Sequence, residues 1–328
     1  MKLYLHVGPH KTGTTLIQKT MLDNQGLLLQ KGLFYPKGFL SIFGHHEFRN
    51  KVKGREITED DVSFLKHTGK NVLLSSEDFI SLNEDDFRYL KERLVDFEIE
   101  VIYAWRRANK KLFSIWQEYV KHGGQDTFFE YHFPHIARPA TSAMLSPDIK
   151  LKMFARVFNK KNIKIIDYDA ALKTDSLLDT FFGLLKVENY ESFSIPTKDK
   201  NASNKSLDFF ESELIRALNV YYFRAKGIEG PEVRLAYTEH KQHLNQENLK
   251  YLLQQISSDA ISVDASKYFV DQRSEKVMKE TFMSQIVNFE ENPLLSEFNV
   301  SSQKWLLDPH NYKLFANLCN ELSELTEQ

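Results

Sequence analysis

An α/β fold of three layers, a mostly parallel central sheet flanked by helices, is predicted for this chain by three observations. Short apolar runs alternate with segments of helical period through the first half. Three of those runs end directly in charged or hydroxyl-rich sequence, as strands do where an open parallel sheet presents its carboxyl edge. Beyond about residue 170 the patterning turns helical, which predicts a helical C-terminal part packed on the sheet.

The elements follow in order. KLYLHV (2–7), NVLLSS (71–76), IEVIYAW (99–105) and NIKIIDY (162–168) read as buried strands. Helices are predicted between them over about 14–25, 59–68, 83–96, 107–122 and 147–159. Further helices are expected in 176–185, 206–223, 244–256, 275–287 and 303–322; in the second of these Leu207, Phe210, Leu214, Leu218 and Tyr221 fall at helical spacing. Two polar stretches, 123–147 and 194–205, are long enough to be functional loops or lids. The expected organisation is one domain over 1–328, an α/β core to residue 190 and a mainly helical part from 191.

Composition narrows the function classes. With 43 basic and 45 acidic residues the formal net charge is -2, which argues against a general nucleic-acid binder and leaves room only for local basic sites. The single cysteine, Cys319, excludes an internal disulfide and suits a reducing compartment. MKLYLHVG reaches His10 and Lys11 before an apolar h-region forms, and no apolar run approaches a membrane span. A soluble cytoplasmic protein is expected.

The first strand runs into HVGPHKTGTT. Gly8 and Gly13 have the spacing of the Walker pattern G-x-x-x-x-G-K-[ST], which makes the predicted fold P-loop-like. The residue after the second glycine is Thr14, however, and the lysine stands earlier, at Lys11. Backbone N–H groups at a helix start, the hydroxyls of Thr12, Thr14 and Thr15, and the charge of Lys11 together suit an anion. In VIYAWRRANKKLFS, Arg106 follows a strand and Ser114 lies eight residues on, a guanidinium and a hydroxyl suited to a phosphate monoester. In LLSSEDF, Glu77 follows a strand; it can take a proton from a bound hydroxyl or amine, or simply acidify a helix start.

Other polar groups carry two readings each. His45 and His46, expected in a loop, can assist Glu77, bind an acceptor or merely be exposed. His132, His135 and Arg138 in the 123–147 stretch suit an acidic or sugar acceptor, or a plain surface loop. Glu239, His240 and His243 lack the H-E-x-x-H spacing and read as a solvated helix rather than a zinc site.

At these residues the chain resembles sulfotransferases that use 3′-phosphoadenosine 5′-phosphosulfate (PAPS). Over roughly 1–190, His10-Lys11-Thr12-Gly13-Thr14-Thr15 matches the family's P-K-[ST]-G-T-T loop for the 5′-phosphosulfate, and Arg106 with Ser114 matches its 3′-phosphate pair. Leu16 stands where cytosolic members have a tryptophan, and their Gly-rich R-K-G element and K-T-H context are absent. The likeness is therefore to the bacterial and carbohydrate-type branch, in which a glutamate is the usual base. The resemblance implies that Lys11 neutralises the departing 3′,5′-ADP (PAP), that Glu77 deprotonates the acceptor, and that no metal is needed; His46, read from its position, is an alternative or assistant to Glu77. In place of the absent Gly-rich element, KDKNASNKS (198–206) is suggested as a source of late nucleotide contacts; a glycan, glycolipid or small metabolite fits as acceptor, and the carbohydrate-type resemblance favours the first two. Two alternatives stand: a small-molecule kinase, disfavoured by Thr14 and by the lack of a strand-end Asp for Mg²⁺, and a non-catalytic nucleotide-binding protein.

Overall fold

The computed structural model describes residues 1–196, 207–264, 267–291 and 297–327. In chain order its elements are β1 (Lys2–His6), α1 (Thr14–Asp23), α2 (Gln25–Gln30), β2 (Leu33–Phe34), α3 (His46–Gly54), α4 (Glu59–Lys66), β3 (Asn71–Ser75), α5 (Glu84–Arg93) and β4 (Glu98–Trp105). These are followed by α6 (Ala108–Lys121), α7 (Phe128–Ile136), α8 (Asp148–Phe158), β5 (Ile163–Asp167), α9 (Tyr168–Lys173), α10 (Leu177–Leu185), α11 (Phe209–Lys226) and α12 (Glu232–His240). The chain closes with α13 (Gln246–Ser258), β6 (Ala260–Asp264), α14 (Phe269–Phe282), β7 (Glu297–Ser301) and α15 (Pro309–Thr326). Backbone contacts group the chain into two compact units, Met1–Ala108 with Ser146–Lys198 and Arg273–Leu295, and Asn109–Leu145 with Asp199–Gln272 and Ser296–Gln328.

The first unit is built on alternation. Along its strands Leu3, Leu5, Val72, Leu74, Val101, Tyr103, Ile163 and Ile165 face one layer, where Phe48, Leu90 and Phe154 of α3, α5 and α8 meet them. Tyr4, Leu73, Ile102, Ala104 and Ile166 face the other, against Ile17 and Met21 of α1 and Phe181 and Phe182 of α10. A strand buried on both faces has no polar side to spare, which is why the four runs read as nearly continuous apolar sequence. Each such side chain, fully buried, contributes about 1.5–3 kcal/mol. The sheet order is β2-β3-β1-β4-β5, with every pairing parallel. β1 therefore lies between β3 and β4, and the loops leaving these three strands emerge side by side at one edge.

The outer edge of β5 is covered from within the unit. Val287 N–H donates to the Ile165 carbonyl at 3.0 Å, and the Asn288 side chain both donates to the Asp167 carbonyl (2.9 Å) and accepts from its N–H (2.7 Å).

The second unit has its own core, with Trp116, Leu214, Leu218, Leu252, Trp305 and Leu318 among its buried members. Its segment 109–145 is held by α11. Asn219 Nδ2 donates to the carbonyls of Val120 (2.8 Å) and Gly124 (2.9 Å), and Arg216 donates to that of Gln125 (3.0 Å). Arg216 is itself clamped in a two-bond pair by Glu213 (2.7 and 2.8 Å), both side chains being almost completely buried.

The predicted helices and strands of the first half are found within a few residues of their expected ends, and the mostly parallel sheet flanked by helices is observed. Bonds from α11 tie 109–145 into the second unit. The expected loop 123–147 contains α7, started by a reciprocal cap between Thr127 and Glu130. The helical C-terminal part also holds an antiparallel pair, β6 with β7. Within 194–205, and for KDKNASNKS, residues 197–206 lie outside the described residues. Among the described residues no helix is long and apolar enough to cross a membrane.

The Glu213–Arg216 pair gives a direct test. Arg216→Ala leaves a buried carboxylate unpaired and is expected to lower stability by about 3–5 kcal/mol in urea denaturation. The double change Glu213→Gln, Arg216→Met should recover most of that loss.

Candidate functional site

The loop between β1 and α1 turns on left-handed backbone. Gly8 (φ 76), Lys11 (φ 64) and Gly13 (φ 75) all take positive φ within six residues. A side chain at Gly8 would stand 3.0 Å from Cα and Cβ of Glu77, and one at Gly13 would stand 2.4 Å from Leu177 of α10. Glycine is thus demanded twice at each position, by dihedral and by space. The buried Thr12 hydroxyl donates to the Pro9 carbonyl (2.5 Å) and closes the loop on itself.

α1 begins without a cap. Gly13 at its N-cap offers no side-chain acceptor, and no acidic residue stands in the first turn. The first intrahelical bond runs from Ile17 to the Gly13 carbonyl, so the N–H groups of Thr14, Thr15 and Leu16 lie ahead of the helical ladder. By contrast α4 and α5 in the same unit both start with reciprocal caps and carry three acidic residues in the first turn. An end left positive in this way favours an anion.

Two arginines at the end of β4 have different duties. Arg106 Nη1 donates to the Lys11 carbonyl at 2.8 Å and its guanidinium lies over the Tyr168 ring at 5.4 Å. Its Nε is buried with no hydrogen-bond partner among the described residues and stays 4.0 Å from Asp169. Arg107 is engaged inward: its side chain bonds the buried Asp167, its backbone N–H bonds Asp169 at 2.8 Å, and its guanidinium stacks on Trp105 at 4.1 Å. Burial pushes the Asp167 carboxyl upward, and Arg107 opposes that shift.

At the end of β3, Glu77 starts a short 3-10 turn and accepts a hydrogen bond from Gln18 Nε2 of α1 at 2.7 Å. Next to it Asp78 gathers three nitrogen groups, with His46 Nδ1 at 3.0 Å, His10 Nε2 at 3.4 Å and Arg49 at 3.7 Å. A carboxylate only accepts, so His46 Nδ1 carries a proton, and a lone pair, where the ring has one, is on Nε2. A side chain at Gly44 would lie 2.8 Å from both this Nε2 and Gln18 Nε2, which places His46 beside the Gln18–Glu77 pair.

Lys11, Gly13, Glu77, His46 and Arg106 are therefore brought together in the first unit, with His10 at the rim and Thr15 exposed on α1. His46 opens α3 rather than lying in a loop. His45 does not serve the site: it is fully buried, its Nδ1 accepts from Ser75 N–H (3.0 Å) and its Nε2 donates to the Pro36 carbonyl (2.9 Å). Ser114 stands half-buried on α6 in the second unit, which also holds His132, His135 and Arg138. Sequence reading passed over Gln18, Arg49 and Asp78 as site residues. Gln18 had a signal, since it interrupts the buried stripe Thr14, Ile17, Met21 of α1. Arg49 had a fainter one, three residues from His46 on the same helical face. Among the described residues no group of three His, Cys, Asp or Glu is placed to hold a metal ion.

No protein-family profile matches the sequence, and no curated protein matches it. Among solved structures, a crystal structure of a sulfotransferase from Alicyclobacillus acidocaldarius aligns with a TM-score of 0.37 and 12% identity, over 69% of this chain and 95% of that one.

The buried histidines set a pH dependence. Burial pushes His6 down to about 3 and His45 down to about 4. In the unfolded chain both return to about 6.5. Between pH 6.5 and 4 the unfolded state thus binds protons that the folded state does not, so stability is full above that window and falls with acidification through it. Thermal melts from pH 7 to 4.5 should show this fall, and His45→Gln should flatten it by up to about 1.4 kcal/mol per pH unit. A slope unaltered by the substitution would show that His45 is not held neutral.

Proposed function

We propose that the protein transfers the sulfuryl group of PAPS to a hydroxyl or amine of an acceptor and releases PAP. The observation that carries this reading is the meeting of three strand ends: the glycine-turned loop, Arg106 on the Lys11 carbonyl, and Glu77 against Gly8. The residues present fit an anionic donor on two counts. The start of α1 is uncapped, and the Arg106 guanidinium, anchored by one bond to the Lys11 carbonyl, keeps further N–H donors beside that loop.

Bound PAPS supplies the sulfuryl group and the leaving group. The N–H groups of Gly13, Thr14 and Thr15 point positive dipole at its 5′ end, and Lys11 adds a full charge that neutralises the departing phosphate. Arg106 holds the loop in shape through the Lys11 carbonyl and offers its remaining donors to the 3′-phosphate. Gln18 fixes Oε2 of Glu77 and so orients the carboxylate to take the acceptor's proton. Asp78 holds the neighbouring His46 with its lone pair on Nε2, an assistant in the same proton transfer. A glycan or glycolipid acceptor is proposed on the family resemblance of the loop.

Calorimetry with PAP tests the donor site. Lys11→Ala and Arg106→Ala should each weaken binding about tenfold or more, the measure of a charge-assisted bond. Glu77→Gln should bind PAP as wild type does and lose transfer from labelled PAPS to glycan acceptors by about 10²–10⁴-fold. Mg²⁺-dependent ATP binding without PAP binding would overturn the reading in favour of phosphoryl transfer.

A further inference from the structure

The second unit contains a pocket of about 250 Å³ with aromatic walls, Phe128, Phe129, Phe269 and Phe298, completed by Val263 and His132. Its mouth is open: Phe129 is 46% exposed and Phe269 67%. Large apolar side chains left in water around a concavity mark a binding surface more often than a decorative one. An apolar cavity of about 150 Å³ already holds benzene, so this one has room for a larger ring system.

Three polar side chains, His132, Asn109 and Tyr268, interrupt the apolar lining, and the first of them is oriented from behind. Asp271 accepts from Asn109 through both the backbone N–H (3.3 Å) and the side-chain Nδ2 (2.5 Å). A carboxylate cannot donate, so the amide is fixed with its nitrogen toward Asp271 and its oxygen toward His132. That oxygen accepts from His132 Nε2 at 2.7 Å, which places the ring proton on Nε2 and the lone pair on Nδ1. The ring is 7% exposed and stacks on Phe128 with centroids 5.0 Å apart, and Nδ1 has no hydrogen-bond partner among the described residues. Burial keeps the imidazole neutral, its pKa lowered to about 4.

We propose that this pocket binds a neutral aromatic small molecule carrying one hydrogen-bond donor, with its ring among the phenylalanines and its N–H or O–H on His132 Nδ1. An aromatic guest gains edge-to-face contacts from the walls that an aliphatic one does not. A cationic amine is disfavoured, because the Asp271 carboxylate already receives two bonds from Asn109 and the walls would strip the ammonium of water. Nothing in this proposal depends on the sulfuryl-transfer reading.

The test is calorimetry or ligand-observed NMR on the full chain with indole and benzofuran, near-isosteres of which only indole has the donor. Indole should bind about five- to tenfold more tightly, the worth of one hydrogen bond. His132→Phe should bring indole down to the level of benzofuran, and Val263→Trp, which fills the cavity, should remove both. Equal affinity of the two ligands for wild type overturns the role of His132. Failure of both to bind at millimolar concentration, or indole binding that survives Val263→Trp, overturns the pocket assignment.

Discussion

The bond from Arg106 to the Lys11 carbonyl is the interaction on which the proposed active site depends. A carbonyl can be offered there only because Lys11 takes left-handed backbone between two glycines that do the same. That conformation costs an L-residue roughly 1–2 kcal/mol, and the guanidinium bond together with the Thr12–Pro9 closure offsets it. The local strain is coupled to long-range packing as well. Glu77 sits against Gly8 and Leu177 against Gly13, so the end of β3 and the start of α10 both press on the loop that β1 feeds. Shape in this loop is a property of the whole sheet edge, which a parallel sheet with β1 between β3 and β4 makes available.

Much of this was legible in the sequence. The four apolar runs located β1, β3, β4 and β5 because strands buried on both faces admit little polar residue. Lys11, Glu77 and Arg106 stood out as candidates by their position just after those runs. What sequence did not yield were partnerships between residues far apart in the chain. Asp78 is one more acid beside Glu77 in the sequence, and only the fold sets His10, His46 and Arg49 around it. His45 and His46 were indistinguishable as letters, yet one caps a buried turn by way of Ser75 and Pro36 while the other reaches the site. The start of α7 was the reverse case: Thr127-Phe-Phe-Glu130 is a capping signature, outweighed in the reading by the polar composition around it.

The two units handle buried polar groups by the same logic. In the first, Asp167 and Asp169 are matched to Arg107, and in the second Glu213 is matched to Arg216. Asp271, Asn109 and His132 extend this matching into a directional series, in which a charge at one end decides where a proton sits at the other. Asp78 does the same for His46 with one fewer link. Carboxylates act here as orienting groups for imidazole rings as much as ion-pair partners.

The sheet's margins carry a consequence for solubility. An exposed edge strand is a template for any foreign chain in extended conformation, and cross-β growth starts from such templates. On one side the ladder stops at β2, whose two residues are too few to seed it. On the other, the Asn288 amide reproduces the donor and acceptor pair that a neighbouring strand would present to Asp167, and Val287 takes the Ile165 carbonyl. A side chain posing as a peptide group thus ends the sheet, and an intruding strand finds the groups of Ile165 and Asp167 already engaged.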